Sequence, residues 1–183
     1  MRCVLGISLA VLVASGLASA AETKYVLTGE NTTIEFVGSK PDGKHTGGFK
    51  KLKGSVTVDP AKLEDAKVVV EIDTTSLHSD NPGLTMHLKN PDFFNVKKHP
   101  TAKFVSSKVE GDASEFTMTG KLTLLGKTKD VTIPVKVKSD GDSHTLTGET
   151  KIDRTEFGMT FGKGKIDDEV KLKITVKGKA KTK

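Results

Sequence analysis

Apolar and polar residues alternate along most of the chain after about residue 24. In "AKVVVEIDT" the apolar residues Ala66, Val68, Val70 and Ile72 share one face, and "EFTMTGKLTLLG", "DVTIPVKVKS" and "DEVKLKITVKG" repeat the pattern. A period of two is typical of β-strands that bury one face. Weaker segments raise the count to eight or nine strands, with turn signals such as "KPDG" and "SDGDS" between them. The pattern predicts one all-β domain of antiparallel strands that forms a barrel or a sandwich.

The alternation stops over residues 75–100. Leu84 and Leu88 are one helical turn apart, which predicts a short helix that ends before Pro91. Two consecutive phenylalanines follow. Long aromatic-bearing excursions from a regular sheet are often functional, so we expect a short helical excursion around 84–96 that acts as a lid or a plug.

The first twenty residues, "MRCVLGISLAVLVASGLASA", combine one positive charge, a short apolar run and small residues at the end. This pattern predicts a cleavable signal peptide over residues 1–20 and a single domain over residues 21–183. The apolar run is too short to span a bilayer, and no later segment approaches that length. Cleavage removes Cys3, the only cysteine, so the mature chain has no disulfide or thiolate site. We expect an exported, periplasmic protein without a transmembrane segment.

The formal net charge of +6 changes this picture little. Most lysines alternate with apolar residues, as in "VKVK", and such positions form the solvent-exposed face of a sheet. One tyrosine, no tryptophan and two arginines in the whole chain argue against nucleic-acid binding. The five histidines show no metal-ligand spacing, so neither a metal nor a cofactor is predicted.

Arg154 is the only arginine after Arg2, in a chain that otherwise uses lysine. A guanidinium tolerates burial and holds a carboxylate with two parallel hydrogen bonds, whereas an ammonium prefers to stay hydrated. Arg154 is therefore either a structural clamp, paired with a carboxylate such as Asp73, Asp92 or Asp153, or the anchor for an anionic ligand group. The clamp is the preferred interpretation.

Four segments in order resemble the YceI-like family: "HLKNPDFFNVKKHPTAKF", "GKLTLLGKTKDVTIPV", "IDRTEFGM" and "DDEVKLKI". The resemblance implies an extended antiparallel eight-stranded barrel, lipocalin-like in outline and exported in bacteria. It also implies binding of a polyisoprenoid or another long apolar molecule inside the barrel. The chain departs from the family pattern in "LTMHL", where many members have an Arg-Asp pair before HL, and at Lys89 and Asn90, where many have Arg and Ser.

The sequence does not decide alone whether the barrel is hollow. Inward positions include Gly120 and Gly148 beside larger residues, a mixture that fits either a tunnel or a tightly interdigitated core. Composition alone favours the packed core, and the resemblance reverses this preference. The residues predicted to contact a ligand are inward apolar side chains, aromatic residues near the mouth and one arginine: Phe36, Val70, Leu84, Leu88, Phe93, Phe94, Phe104, Met118, Leu122, Ile133, Val135, Arg154, Phe157, Met159, Phe161, Leu172 and Ile174.

The leading hypothesis is a carrier or store of an isoprenoid or other long-chain lipid or quinone, which is not an enzyme. One alternative is an enzyme acting on an isoprenoid-type substrate, with His87, Asp92 and Arg154 as polar participants. Another is an interaction module with a solid core, whose lysine-rich exterior meets anionic envelope components. Formation of a homodimer is left open.

Overall fold

The computed structural model describes residues 22–59 and 61–179. Eleven strands occur within these residues: β1 (Thr23–Thr28), β2 (Thr32–Lys40), β3 (Gly43–Phe49), β4 (Leu52–Asp59), β5 (Lys62–Asp73), β6 (Leu77–Ser79), β7 (Thr101–Gly111), β8 (Glu115–Leu124), β9 (Lys127–Asp140), β10 (Ser143–Asp153) and β11 (Glu169–Lys179). The described helices are α1 (Pro82–Lys89) and two short 3₁₀ helices, Thr74–Ser76 and Arg154–Phe157. The predicted signal peptide, residues 1–20, lies outside the described residues.

All eleven strands belong to one antiparallel sheet in the order β1-β4-β5-β7-β8-β9-β10-β11-β2-β3-β6. Three pairs of consecutive strands, β1–β2, β3–β4 and β5–β6, are separated by a short break and do not pair with each other as a hairpin does. When each of these pairs is counted as one segment, the eleven strands form eight segments. The β3–β4 segment pairs with the β5–β6 segment along both of its halves, and β11 pairs with β2. The ladder of hydrogen bonds therefore returns to its starting segment, and the sheet curls into a barrel.

The predicted all-β antiparallel barrel is confirmed, but the count of eight strands is too low. Three of the eight segments are each divided in two by a bend. At one bend the 3₁₀ helix Thr74–Ser76 interrupts the chain between β5 and β6, and Ser76 accepts hydrogen bonds from the backbone N–H groups of Lys50 and Lys51. The bend between β5 and β6 thus lies beside the bend between β3 and β4. The pairing of these two segments is therefore divided into a β4–β5 part and a β3–β6 part.

Strand β9 shows how the alternating sequence builds the barrel wall. Val131, Ile133 and Val135 are buried, while the residues between them are exposed. Pro134 lies in this strand, and the β9–β10 ladder ends at Val135. The missing N–H of proline is tolerated because the pairing stops beside it. The wall is therefore apolar inside and polar outside, as the period of two predicts.

The barrel interior is packed with side chains over much of its length. Gly120 faces inward, and a Cβ atom there would collide with the ring of Phe104. A Cβ atom at Gly148 would lie 2.8 Å from Cγ2 of Ile133. Large side chains thus occupy the space that these glycines leave, and this part of the barrel has an interdigitated core.

The described helices are all short, and none of them has the length and apolar character needed to cross a membrane.

Candidate functional site

A short helix begins the segment that covers one end of the barrel. The Asn81 side chain caps α1 by accepting a hydrogen bond from the N–H of Leu84 at 3.0 Å, and Pro82 occupies the first turn, where its missing N–H is not needed. Leu84 and Leu88 lie one turn apart and face the barrel interior. We call α1 and the loop that follows it, residues 82–100, the lid. It contains the helical excursion predicted around 84–96.

The loop of the lid is fixed by backbone hydrogen bonds. The N–H of Phe94 donates to the carbonyl of Leu88 at 3.0 Å, and Asn95 adopts a positive φ of 43°, a conformation that asparagine tolerates. At the end of the lid, the hydroxyl of the buried Thr74 donates to the carbonyl of His99 at 2.6 Å. These contacts hold the loop against the barrel, with the Phe94 side chain facing the interior.

A cavity of about 180 Å³ lies between the lid and seven strands of the barrel. Most of its lining is apolar: Ile34, Phe36, Phe49, Ile72, Leu84, Leu88, Phe93, Phe94, Ala102, Leu122, Leu124, Ile152, Met159, Ile166, Val170 and Leu172. Five further residues complete the lining: Gly38, Ser39, Lys40, His45 and Arg154. This arrangement suits an apolar molecule with a small polar region at one side.

Two groups of aromatic rings connect the lid to the rest of the protein, and four of their six members line the cavity. Phe36, Phe49 and Phe94 form the first group, with ring centroids 5.7 to 6.2 Å apart. His87, Phe93 and Phe161 form the second, with centroids 5.0 to 5.4 Å apart. Each group connects a lid residue to another element by ring contacts, which are worth about 0.5–1.5 kcal/mol per pair beyond burial. Aromatic side chains therefore contribute to holding the lid against the barrel.

Arg154 is 3% exposed and all of its donors are occupied. The five N–H groups of its guanidinium find five acceptors in the loop between β10 and β11: the backbone carbonyls of Met159, Phe161, Ile166 and Asp167 and the carboxylate of Asp168. A planar fork is the side chain that can satisfy so many acceptors at once. Arg154 acts as a clamp that holds this loop around itself.

The carboxylates predicted as partners of Arg154 were wrong. Asp168 forms the ion pair, with an N–O distance of 3.1 Å. Asp73 and Asp153 instead cap the two 3₁₀ helices, and Asp92 pairs with His87 at 3.0 Å. Sequence reasoning missed Asp168 because the loop that returns it to Arg154 carries no periodic pattern.

The two 3₁₀ helices start with the same local arrangement. Asp73 accepts hydrogen bonds from the hydroxyl and the N–H of Thr75, and Asp153 does so from Thr155. The hydroxyl hydrogen bond is the main cause that lowers the pKa of each aspartate below its ordinary value, and the N–H bond adds to it. Both aspartates end a strand at the lid end of the barrel. The D-x-T sequence thus marks two strand ends at which a 3₁₀ helix begins.

Nine of the residues predicted to contact a ligand line the cavity: Phe36, Leu84, Leu88, Phe93, Phe94, Leu122, Arg154, Met159 and Leu172. The other eight do not: Val70, Phe104, Met118, Ile133, Val135, Phe157, Phe161 and Ile174. Phe161 lies on the outer side with 44% of its surface exposed, and the remaining seven belong to the packed core. Contact of any of these residues with a ligand stays a prediction.

Sequence reasoning missed several lining residues that share a strand face with predicted ones. Ile34 lies two positions from Phe36, Ile72 two from Val70, and Val170 two from Leu172. Extension of the period-two pattern would have found these three. No such signal marked Lys40 and His45, because charged and polar residues at a strand end are ordinarily exposed.

A second concavity of about 530 Å³ lies on the outer wall. Charged and polar residues such as Lys51, Lys53, Glu71 and Asp73 provide most of its lining. Water already solvates such groups well, so the groove offers little to an apolar ligand. In the described ranges, no cluster of three or more histidine, aspartate or glutamate residues is arranged to hold a metal ion.

Comparisons with known proteins agree with this architecture. A family model described as the YceI-like domain matches residues 25–178. Protein YceI of Salmonella newport is 34% identical over 95% of each chain. The crystal structure of Burkholderia cenocepacia BcnA is similar with a TM-score of 0.74 and 30% identity, over 80% of this chain and 96% of that one.

A more distant structure has the same fold. It is described as a polyisoprenoid binding domain from Saccharophagus degradans implicated in plant cell wall breakdown. Its TM-score is 0.67 at 14% identity, over 86% of this chain and 98% of that one. The family model and the 34% identity to protein YceI show that this chain belongs to the YceI-like family.

Proposed function

We propose that this protein is an exported carrier or store of a long apolar ligand, a polyisoprenoid or a similar lipid or quinone. The ligand would occupy the barrel cavity beneath the lid and leave it chemically unchanged. The observation that carries the proposal is the cavity itself, which has sixteen apolar lining residues from the lid, the barrel and the β10–β11 loop.

The cavity wall favours an apolar occupant. Within the described residues, every buried side-chain nitrogen or oxygen atom already has a hydrogen-bond partner. No buried polar atom therefore needs a ligand as its partner, and each 100 Å² of apolar ligand surface that is buried contributes about 2.5 kcal/mol. The name given to the Saccharophagus degradans domain supports the same ligand class, although at 14% identity the likeness concerns the fold alone.

A long ligand requires more room than the closed structure offers. The cavity of about 180 Å³ is close to the ~150 Å³ of an engineered cavity that holds one benzene molecule, and below the ~300 Å³ where ordinary ligand pockets begin. Phe94 is the side chain best placed to make space, since it enters the interior from the lid. Loading therefore includes displacement of the lid.

The geometry does not favour the enzyme alternative. His87 and Asp92 pair with each other on the lid and are not part of the cavity lining. Arg154 lines the cavity, but its five N–H groups are occupied by protein acceptors. We accordingly propose binding without catalysis.

Native mass spectrometry of the protein purified from its own export compartment tests the proposal. We expect a chain that starts near residue 21 and carries an added mass whose organic extract fragments as an isoprenoid or a related lipid. An intact leader would contradict export. A chain without added mass, which stays so after incubation with isoprenoids and fatty acids, would contradict the ligand.

A further inference from the structure

The hairpin of β2 and β3 forms a polar notch at the edge of the cavity. Gly38 and His45 are directly paired across the two strands, and Lys40 lies two residues beyond Gly38 on the same strand face. All three line the cavity. A Cβ atom at Gly38 would meet no other atom within 4 Å, so the glycine leaves open space between the two polar side chains.

Arg154 cannot bind a ligand head group without losing a protein contact, because each of its N–H groups has an acceptor. Lys40 is the other cation in the lining, and it forms no ion pair within the described ranges. The charge that a polar ligand group would meet at the cavity edge is therefore that of Lys40.

Asp80 holds His45 in place beside this lysine. Nδ1 of His45 lies 3.0 Å from one carboxylate oxygen of Asp80, and the other oxygen accepts a hydrogen bond from the N–H of Thr46 at 2.8 Å. Because a carboxylate only accepts, Nδ1 carries the proton and Nε2 is left as an acceptor for a donor group on a ligand. Asp80 directly precedes the cap of α1, so this contact also connects the hairpin to the start of the lid.

We propose that this notch binds the anionic head group of the ligand, a phosphate or a carboxylate, with Lys40 as the charge partner; Nε2 of His45 can accept a hydrogen bond from the hydroxyl of a singly protonated phosphate. This inference rests on the proposed function and assigns its ligand class as an anionic amphiphile. Charge-assisted hydrogen bonds are roughly twice as strong as neutral ones, which is why the head group selects among ligands of equal chain length. Asp80 keeps its negative charge while His45 and Thr46 donate to its oxygens, so the attraction for an anion comes from Lys40.

Titration calorimetry with matched ligand pairs tests the inference. Farnesyl phosphate is compared with farnesol, and dodecanoate with dodecanol, so that within each pair the chain is constant and the head group changes. We expect the wild-type protein to bind an anion at least tenfold more tightly than its neutral partner. A preference in the first pair assigns phosphate, and a preference in the second assigns carboxylate.

Lys40→Gln is expected to reduce this preference to about twofold, with the loss falling mainly on the charged ligands. Lys44→Gln is the matched control, since Lys44 belongs to the same hairpin and does not line the cavity. His45→Gln provides a second variant, and we expect a smaller loss of preference from it.

Equal wild-type affinities for the charged and neutral partners would overturn the head-group site and leave the apolar cavity site standing. An equal loss in Lys40→Gln and Lys44→Gln would also overturn it, because it would show a general effect of surface charge. Binding of neither farnesol nor farnesyl phosphate would overturn the proposed function as well.

Discussion

At the scale of single residues, Arg154 explains why one arginine is retained in a lysine-rich chain. Four carbonyls and one carboxylate converge on its guanidinium inside a loop that has no regular secondary structure beyond its first turn. A buried carbonyl without a donor costs about 1–3 kcal/mol, so the loop depends on this fork. The loop also supplies Met159 and Ile166 to the cavity wall, which connects one side chain to the shape of the site.

Replacement of Arg154 by lysine tests the clamp. The ammonium of lysine has three donors instead of five, so at least two of the five acceptors around Arg154 would lose their hydrogen bond. We expect Arg154→Lys to lower the free energy of unfolding by about 2–4 kcal/mol, measured by urea denaturation. The control is Lys151→Ala, which removes an exposed ion pair with Glu169 and is expected to cost less than about 1 kcal/mol. Equal effects of the two substitutions would contradict the clamp.

Asp73 and Asp153 give the fold a specific acid sensitivity. The pKa of each carboxyl is lowered by the threonine two residues later, so each contributes stability at pH values above the unfolded pKa of about 3.9. That contribution is lost as the pH falls through the lower folded pKa. We expect Asp73→Asn and Asp153→Asn to flatten the dependence of unfolding free energy on pH below about 4, because asparagine keeps the accepting oxygen without the charge.

Urea denaturation between pH 2 and 6 provides the measurement. Asp130→Asn, which alters a carboxylate in an exposed ion pair with Lys121, serves as the comparison. Acid profiles of Asp73→Asn and Asp153→Asn that coincide with the wild-type profile would rule out these two carboxylates as the source.

At the scale of elements, the sequence predicted the lid well and strand β3 poorly. The spacing of Leu84 and Leu88 and the following proline indicated a short helix, and α1 ends at Lys89. Strand β3 reads "GKHTGGF", with no run of apolar residues. Its inward position Gly47 is empty because the ring of its cross-strand partner Phe36 fills the space, and a Cβ atom there would collide with that ring. A pattern of hydrophobic residues cannot reveal a strand whose apolar contact comes from its neighbour.

The lid is the element expected to respond to ligand. Its loop is held by a few backbone hydrogen bonds and by ring contacts, and a long ligand would displace Phe94 from the interior. Hydrogen exchange with mass detection should show changed deuterium uptake over residues 82–100 when farnesol is added, because local opening determines uptake. The β9–β10 hairpin at the opposite end of the barrel should show no change. Uptake in the lid that is unaffected by a bound ligand would contradict its role as a lid.

At the scale of the whole molecule, the barrel is divided into a packed part and a hollow part. Alternation predicted which side chains face inward, but it carries no information on where along the barrel they leave space. Phe104 fills the place beside Gly120, whereas the space beside Gly38 stays open. Both are inward glycines, and only the neighbouring side chains distinguish them. This difference explains why Phe104 and Ile133 were predicted as ligand contacts and lie in the core.

The most direct test of the central claim, that a ligand occupies the cavity beneath the lid, is a farnesol titration of wild type, Gly38→Leu and Gly178→Leu. A Cβ atom meets no atom within 4 Å at either glycine, but only Gly38 lines the cavity. Both variants should therefore fold. We predict that Gly38→Leu weakens binding at least tenfold by filling the cavity, and that Gly178→Leu binds like the wild type. Equal affinities of all three proteins would place the ligand elsewhere and contradict the account.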